Sequence, residues 1–148
     1  MSDVLLDSNV LLRLLAPTDP KHVVAADAVA NAIRAGHRLL IAPQVVMETW
    51  VVLTRPAEVN GYGWTPEASK EALDSAMQRF PLAAETPDVF TAWWRIVPDG
   101  VRGKRAHDAR LAALMHVHGI RHVLTFNLDD FKNLPDIVAI EPGVPIPE

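Results

Sequence analysis

The chain contains no cysteine, which excludes a disulfide framework, a thiolate zinc site and a cysteine nucleophile, and fits a reducing compartment. Long apolar runs are missing too: charge breaks the most hydrophobic stretches well short of the roughly 18 residues a membrane-spanning helix needs. No basic stretch leads into an apolar one at the start, so neither membrane insertion nor secretion is expected, and the cytoplasm is the default location. Positive charge is in short supply. Fourteen Lys and Arg stand against eighteen Asp and Glu, a formal net charge of -4, which argues against coating nucleic acid over the whole surface and leaves room for a local basic patch. No serine and histidine sit in a recognisable nucleophile motif.

What is present is a core's worth of apolar residues: 49% of 148 residues, enough for a single domain spanning 1–148, with its core over about 3–141 and a short Pro-rich tail, "EPGVPIPE". Residues 3–7 read as a short buried strand, and 8–15 as a helical turn or two ending before Pro17. In "DPKHVVAADAVANAIRAGHR", Asp19 suits an N-cap, Pro20 the first helical position and Gly36 the end. "RLLIAP" is a second strand. "PQVVMETWVVLTRP", apolar almost all round between Gln44 and Arg55, predicts a buried helix. A Gly-rich loop follows, then a helix from Thr65-Pro66 to about Arg79, a third strand in "PLAAE" and a short helix in "TPDVFTAWWRIV". A helix to His118 closed by Gly119, a strand "HVLTF", a turn and a last strand "DIVAI" complete the chain. Strands alternating with helices imply an α/β domain: a mostly parallel, doubly wound sheet with helices on both faces.

Acids stand where such a core should be. Asp7 interrupts the apolar run "LLDSNVLLRLL" at the end of the first strand, Glu48 is the only charge between Pro43 and Arg55, and Asp108 shares a helix face with Leu111, Ala112 and Met115. Asn127, Asp129 and Asp130 follow another strand end. Singly, each has a structural explanation: Asp7 or Asp108 as a helix cap, Glu48 paired with Arg13 or Arg55, Asp130 capping a turn. Together they are harder to explain so, because such a fold places several of them at the carboxyl edge of one sheet, where ligands of open α/β sheets bind. Carboxylates sharing a site cannot all stay ionised unless a cation joins them, and Mg²⁺ or Mn²⁺ meets that need with oxygen ligands.

These motifs resemble the PIN domain family, and within it the ribonuclease toxins of VapBC-type bacterial toxin–antitoxin pairs. The resemblance lies in "LLDSNVLL", "APQVVMETW", "AHDARLAA" and "LTFNLDDF", in that order over residues 4–131. It implies a doubly wound sheet and a metal-dependent phosphodiesterase that cuts RNA. Asp7, Glu48 and Asp108 match the family's three acidic metal-site positions, and Asp130 matches a further acid before the Phe. Many members carry an aspartate where this chain has Asn127, which supplies no charge, so one or two metals stay open, as does the choice among Asn127, Asp129 and Asp130. Ser8 and Thr125 match hydroxyl positions beside the acids, and Asn9 completes the first motif; local backbone hydrogen bonding explains such hydroxyls equally well. A cognate antitoxin and a homodimer are implied as partners.

In such a site metal-activated water attacks phosphorus, and Arg102, Lys104 and Arg105, just ahead of Asp108, could meet the RNA backbone. A solvated loop is the plainer alternative for these cations. His116 and His118, two apart on a helix, make a poor ligand pair, whereas His107 adjoins Asp108. Trp50, Trp64, Trp93 and Trp94 suit core or dimer packing better than base stacking. Two rival readings are a haloacid-dehalogenase-like phosphatase, which needs a second aspartate where Asn9 stands, and a non-catalytic PIN scaffold, which has no need of all three acids.

Overall fold

β1 (Asp3–Leu6), β2 (Arg38–Leu40), β3 (His122–Leu124) and β4 (Val138–Ile140) pair in parallel in the order β2-β1-β3-β4. The coordinates are a computed structural model describing residues 2–147. Val4, Leu5 and Leu6 are all solvent-free, although successive strand residues point to opposite faces. The sheet is therefore covered on both sides, as a parallel sheet requires. Among the described residues the α-helices are α1 (Ser8–Leu15), α2 (His22–Arg34), α3 (Pro43–Thr54), α4 (Pro66–Arg79), α5 (Pro87–Ile96) and α6 (Arg105–His118). α1 packs on α2 and α3, α3 on α4, and α5 on α6. Truncating a fully buried side chain such as Leu5 to Ala removes core contacts on the face it points to, a loss of about 2–5 kcal/mol for leucines of this kind.

Helix boundaries follow the local signals closely. Thr65 caps α4 by accepting from the Ala68 N–H at 3.1 Å, and Gly119 closes α6 in the left-handed region at φ 68°, where a Cβ would be strained. Asp19 acts two residues earlier than a cap: its carboxylate accepts from the Lys21 N–H at 2.8 Å, and α2 begins at His22.

Three further expectations change. "PLAAE" is no strand of its own; Leu82 makes a single parallel bridge to Ile41, since Pro81 has no N–H to donate and can only accept from Ile41. α3 is not buried all round. It packs inward through Gln44, Val45, Thr49 and Leu53, while Met47 and Val51, a turn apart on the side away from α1 and α4, are 53% and 50% exposed. The Pro-rich end folds back, with Ile146 against the core. Among the described residues no helix is long and apolar enough to cross a membrane.

Candidate active site

β1 connects through α1 and α2 to β2 on one side, while β3 and β4 lie on its other side, so the strand order reverses between β1 and β3. At that crevice Asp7 follows β1 and Thr125 follows β3. The Asp7 N–H donates to the Leu124 carbonyl at 3.0 Å, carrying the ladder one residue past the strand ends. Thr125 Oγ1 donates to Asp7 Oδ2 at 2.8 Å, and the Ser8 N–H to Asp7 Oδ1 at 2.8 Å. Asn9 Nδ2 reaches both Asp7 Oδ2 (3.3 Å) and Thr125 Oγ1 (3.1 Å), and its Oδ1 accepts from the Phe126 N–H at 3.0 Å. Asp7 thus caps α1 and is locked in one orientation at only 6% exposure. Burial pushes its carboxyl above the usual range, the bonds from Thr125 and Ser8 pull the other way, and Asp130's charge adds to the rise.

Three more acids arrive from separate elements. Asp108 is the fourth residue of α6, which starts at Arg105 after Lys104, so the cap explanation fails for it. Burial first, then the charges of Asp130, Asp7 and Glu48, push its carboxyl up to about 6; Arg105 opposes the rise. Glu48 projects from α3, and its carboxyl is likewise raised by burial and by Asp7. Neither Arg13 nor Arg55 pairs with Glu48: Arg13 donates to the Asn9 carbonyl at 2.9 Å and lies 3.6 Å from Asp19. Asp130 comes from the 3₁₀ turn Leu128–Phe131, half-buried, whereas Asn127 and Asp129 are exposed. Asp130 thus acts on both Asp7 and Asp108, Asp7 on both Glu48 and Asp108, and Glu48 on Asp108, at the carboxyl edge of the sheet.

A family model of the PIN domain matches residues 4–137. The chain belongs to the PIN domain family. Ribonuclease VapC24 of Mycobacterium tuberculosis is 28% identical to it over 130 residues, which cover 86% of this chain and 88% of that protein. Among solved structures, VapBC2 from Rickettsia felis, bound to a DNA fragment from its promoter, superposes with a TM-score of 0.71 at 12% identity, covering 94% of this chain and 98% of that one. VapC20 of Mycobacterium tuberculosis, a sarcin-ricin loop cleaving toxin, superposes with a TM-score of 0.61 at 21% identity over 86% of this chain and 92% of that one. At these identities the structural likeness speaks for the fold.

The donor set of this PIN domain suits a hard divalent cation. It offers oxygen only, and none of its four carboxylates is ion-paired among the described residues. As posed, no three of the His, Asp and Glu side chains among the described residues stand close enough to chelate an ion. Mg²⁺ asks for less, since it keeps several waters and binds through one or two carboxylates plus substrate phosphate. Two helix N-termini, those of α1 and α6, add partial positive charge beside Asp7 and Asp108.

Around the acids, the cations divide. Arg105 is tied down, its Nη2 donating to the Lys132 carbonyl at 2.6 Å, whereas Arg102 and Lys104 are exposed. Arg13 and Lys21 lie 5.4 and 5.1 Å from the centroid of the Phe126 ring, bringing two further cations beside the Asp7–Thr125 crevice. Gln44 is a positioning residue that no sequence signal singled out: its Nε2 donates to the His107 carbonyl at 2.8 Å, linking the first turn of α3 to that of α6 one turn before Glu48. His116 and His118 are structural, holding the carbonyls of Pro135 (2.6 Å) and Ala84 (2.7 Å). Trp50, Trp64 and Trp93 pack against the core, while Trp94 stays exposed.

Proposed function

We propose that this PIN domain is a ribonuclease dependent on Mg²⁺ or Mn²⁺, acting in the cytoplasm as the toxin of a VapBC-type pair and inhibited by a cognate antitoxin. The observation that carries this reading is the convergence of four carboxylates, with no paired cation, at the switch point of a parallel sheet. The 28%-identical ribonuclease and the toxin–antitoxin structures of the same fold support the substrate and partner classes.

Asp7 and Asp108 would hold the metal, with Glu48 and Asp130 completing the oxygen set. Such an ion, when bound, activates water for attack on phosphorus and offsets charge on the leaving oxygen. The chain's own residues orient and neutralise. Thr125, the Ser8 N–H and Asn9 keep Asp7 fixed and favour its ionised form. The N-termini of α1 and α6 face the incoming phosphate, while Arg102 and Lys104 meet the RNA backbone beside them. No protein nucleophile is required. Incubating the purified protein with RNA tests this directly: cleavage is expected in Mg²⁺ or Mn²⁺ and none in excess EDTA. Cleavage that persists in chelator contradicts the metal site, and RNA binding without cleavage in any divalent ion returns the chain to a non-catalytic scaffold.

A further inference from the structure

A groove of about 530 Å³ runs between α5 and α6, lined by Thr86, Phe90, Trp93, His107 and Arg110 among others. Its floor is rigid: Trp93 Nε1 donates to the Ala106 carbonyl at 2.8 Å, fixing the indole against the first turn of α6. Phe90, one turn earlier on α5, has its ring centroid 6.0 Å from Trp93 and 6.2 Å from Trp94, the latter stacked at 14°. Both outer rings face water, Phe90 at 64% and Trp94 at 63% exposure. At the opposite wall Arg110 grips both carboxylate oxygens of Glu85, at 2.5 and 2.9 Å, and the Thr86 hydroxyl is buried without a partner.

This groove adjoins the carboxylate edge through the first turns of α6. His107 immediately precedes Asp108, its carbonyl is held by Gln44, and the charges of both His107 and Arg110 act on Glu48. An aromatic floor and a donor–acceptor pair, set beside the carboxylates of the proposed metal site, form the combination that recognises an unpaired base by stacking and by hydrogen bonds to its edge. The volume lies within the range of small-ligand pockets, ample for one base with its ribose.

We propose that the α5–α6 groove is the subsite for one unpaired RNA nucleobase next to the bond being cut, with Phe90 as its stacking platform and Arg110 and Glu85 reading the base edge. The proposal rests on the ribonuclease reading for its substrate, and its test is separable from that reading. Binding of short single-stranded RNAs, each with one abasic nucleotide, is measured for the parent, Phe90→Ala and Phe90→Tyr with Ca²⁺ replacing Mg²⁺; oligomeric state is followed by sedimentation. Phe90→Ala is expected to weaken binding of the intact RNA about tenfold, the scale of one lost base stack, and Phe90→Tyr to restore it. At one position along the RNA, removing the base should cost the parent a similar factor and cost Phe90→Ala almost nothing, the signature of a direct pair. Equal abasic losses in both proteins overturn the proposal, as does the absence of RNA binding by the parent. A Phe90→Ala protein that changes oligomeric state but not RNA affinity also overturns it, assigning the face to a second copy of the chain. Cleavage, scored separately in Mn²⁺, decides the nuclease reading: a parent that binds with this pattern but never cuts keeps the subsite and loses the nuclease.

Discussion

β1 carries an aspartate at its start, Asp3, and another just past its end, Asp7, and the fold treats them in opposite ways. Asp3 is partly exposed and grips Arg38 of the neighbouring strand at 2.9 and 3.1 Å, which holds its carboxyl below the usual range. Asp7, directly after the solvent-free Val4, Leu5 and Leu6, has no cation, and burial together with the charge of Asp130 pushes its carboxyl up. Burying unpaired like charges destabilises a fold unless something joins them. At the amino edge of the sheet the chain supplies the counter-charge itself; at the carboxyl edge it supplies none to Asp7, and in the proposed reading a bound cation does so. The paired carboxylate at the surface serves structure, whereas the fixed, unpaired Asp7 is the centre of the site proposed above.

The largest effect expected from breaking this contrast is at Asp7. Asp7→Asn keeps the cap and the shape but removes a ligand charge, and cleavage should fall by about a hundredfold or more, equivalent to several kcal/mol of transition-state stabilisation, in a metal-dependent RNA cleavage assay. Removing the Arg38 guanidinium at the other end should leave cleavage unchanged. Thr125→Val comes next: losing the hydroxyl that orients Asp7 should reduce metal affinity or rate by about 10- to 100-fold with Asp7 itself intact, and Thr125→Ser should recover most of the loss.

The pH dependence of stability, measured by denaturation in chelator, should separate the two edges by sign. Asp108 has a carboxyl raised to about 6, so the folded state holds its proton when the unfolded chain has released it, and its contribution weakens as pH rises from about 4 to about 6. Asp108→Asn should flatten that fall. Asp3 is held low, so its contribution is present above the ordinary aspartate range and is lost as pH drops through and below it; Arg38→Ala should remove that acid-side loss. As a partly exposed ion pair it is worth at most about 1 kcal/mol, the smallest effect expected here.

Much of this was legible in the chain, for physical reasons that differ by element. Asp7 stood out because a carboxylate interrupts an apolar strand, and Asp108 because its spacing to Leu111, Ala112 and Met115 fixes its helix face; both signals are local and periodic. The fourth acid was legible only through the family resemblance, which matches Asp130: Asp129 and Asp130 lie in a 3₁₀ turn that Asn127 precedes, where no period says which side chain turns inward, and the tertiary fold leaves Asp130 half-buried with its charge acting on Asp108. The buried reading of α3 failed because apolar residues all round one helix do not say how many neighbours cover it, and α1 and α4 leave Met47 and Val51 outside. Gln44 meets His107 across 63 residues, which no window of sequence contains, and the Trp93–Ala106 bond depends on how the loop between α5 and α6 folds, which periodicity does not set.

The reading of the carboxyl edge as a cation site is tested most directly by unfolding curves of the parent and Asp108→Asn, each with Mn²⁺ and with chelator. In chelator the variant should be at least as stable as the parent, because a repelling charge is gone. With Mn²⁺ at ~100 times its dissociation constant, the parent should gain roughly 2.7 kcal/mol and the variant much less. An equal gain in both proteins, or none in the parent, would contradict the assignment of these carboxylates to a metal.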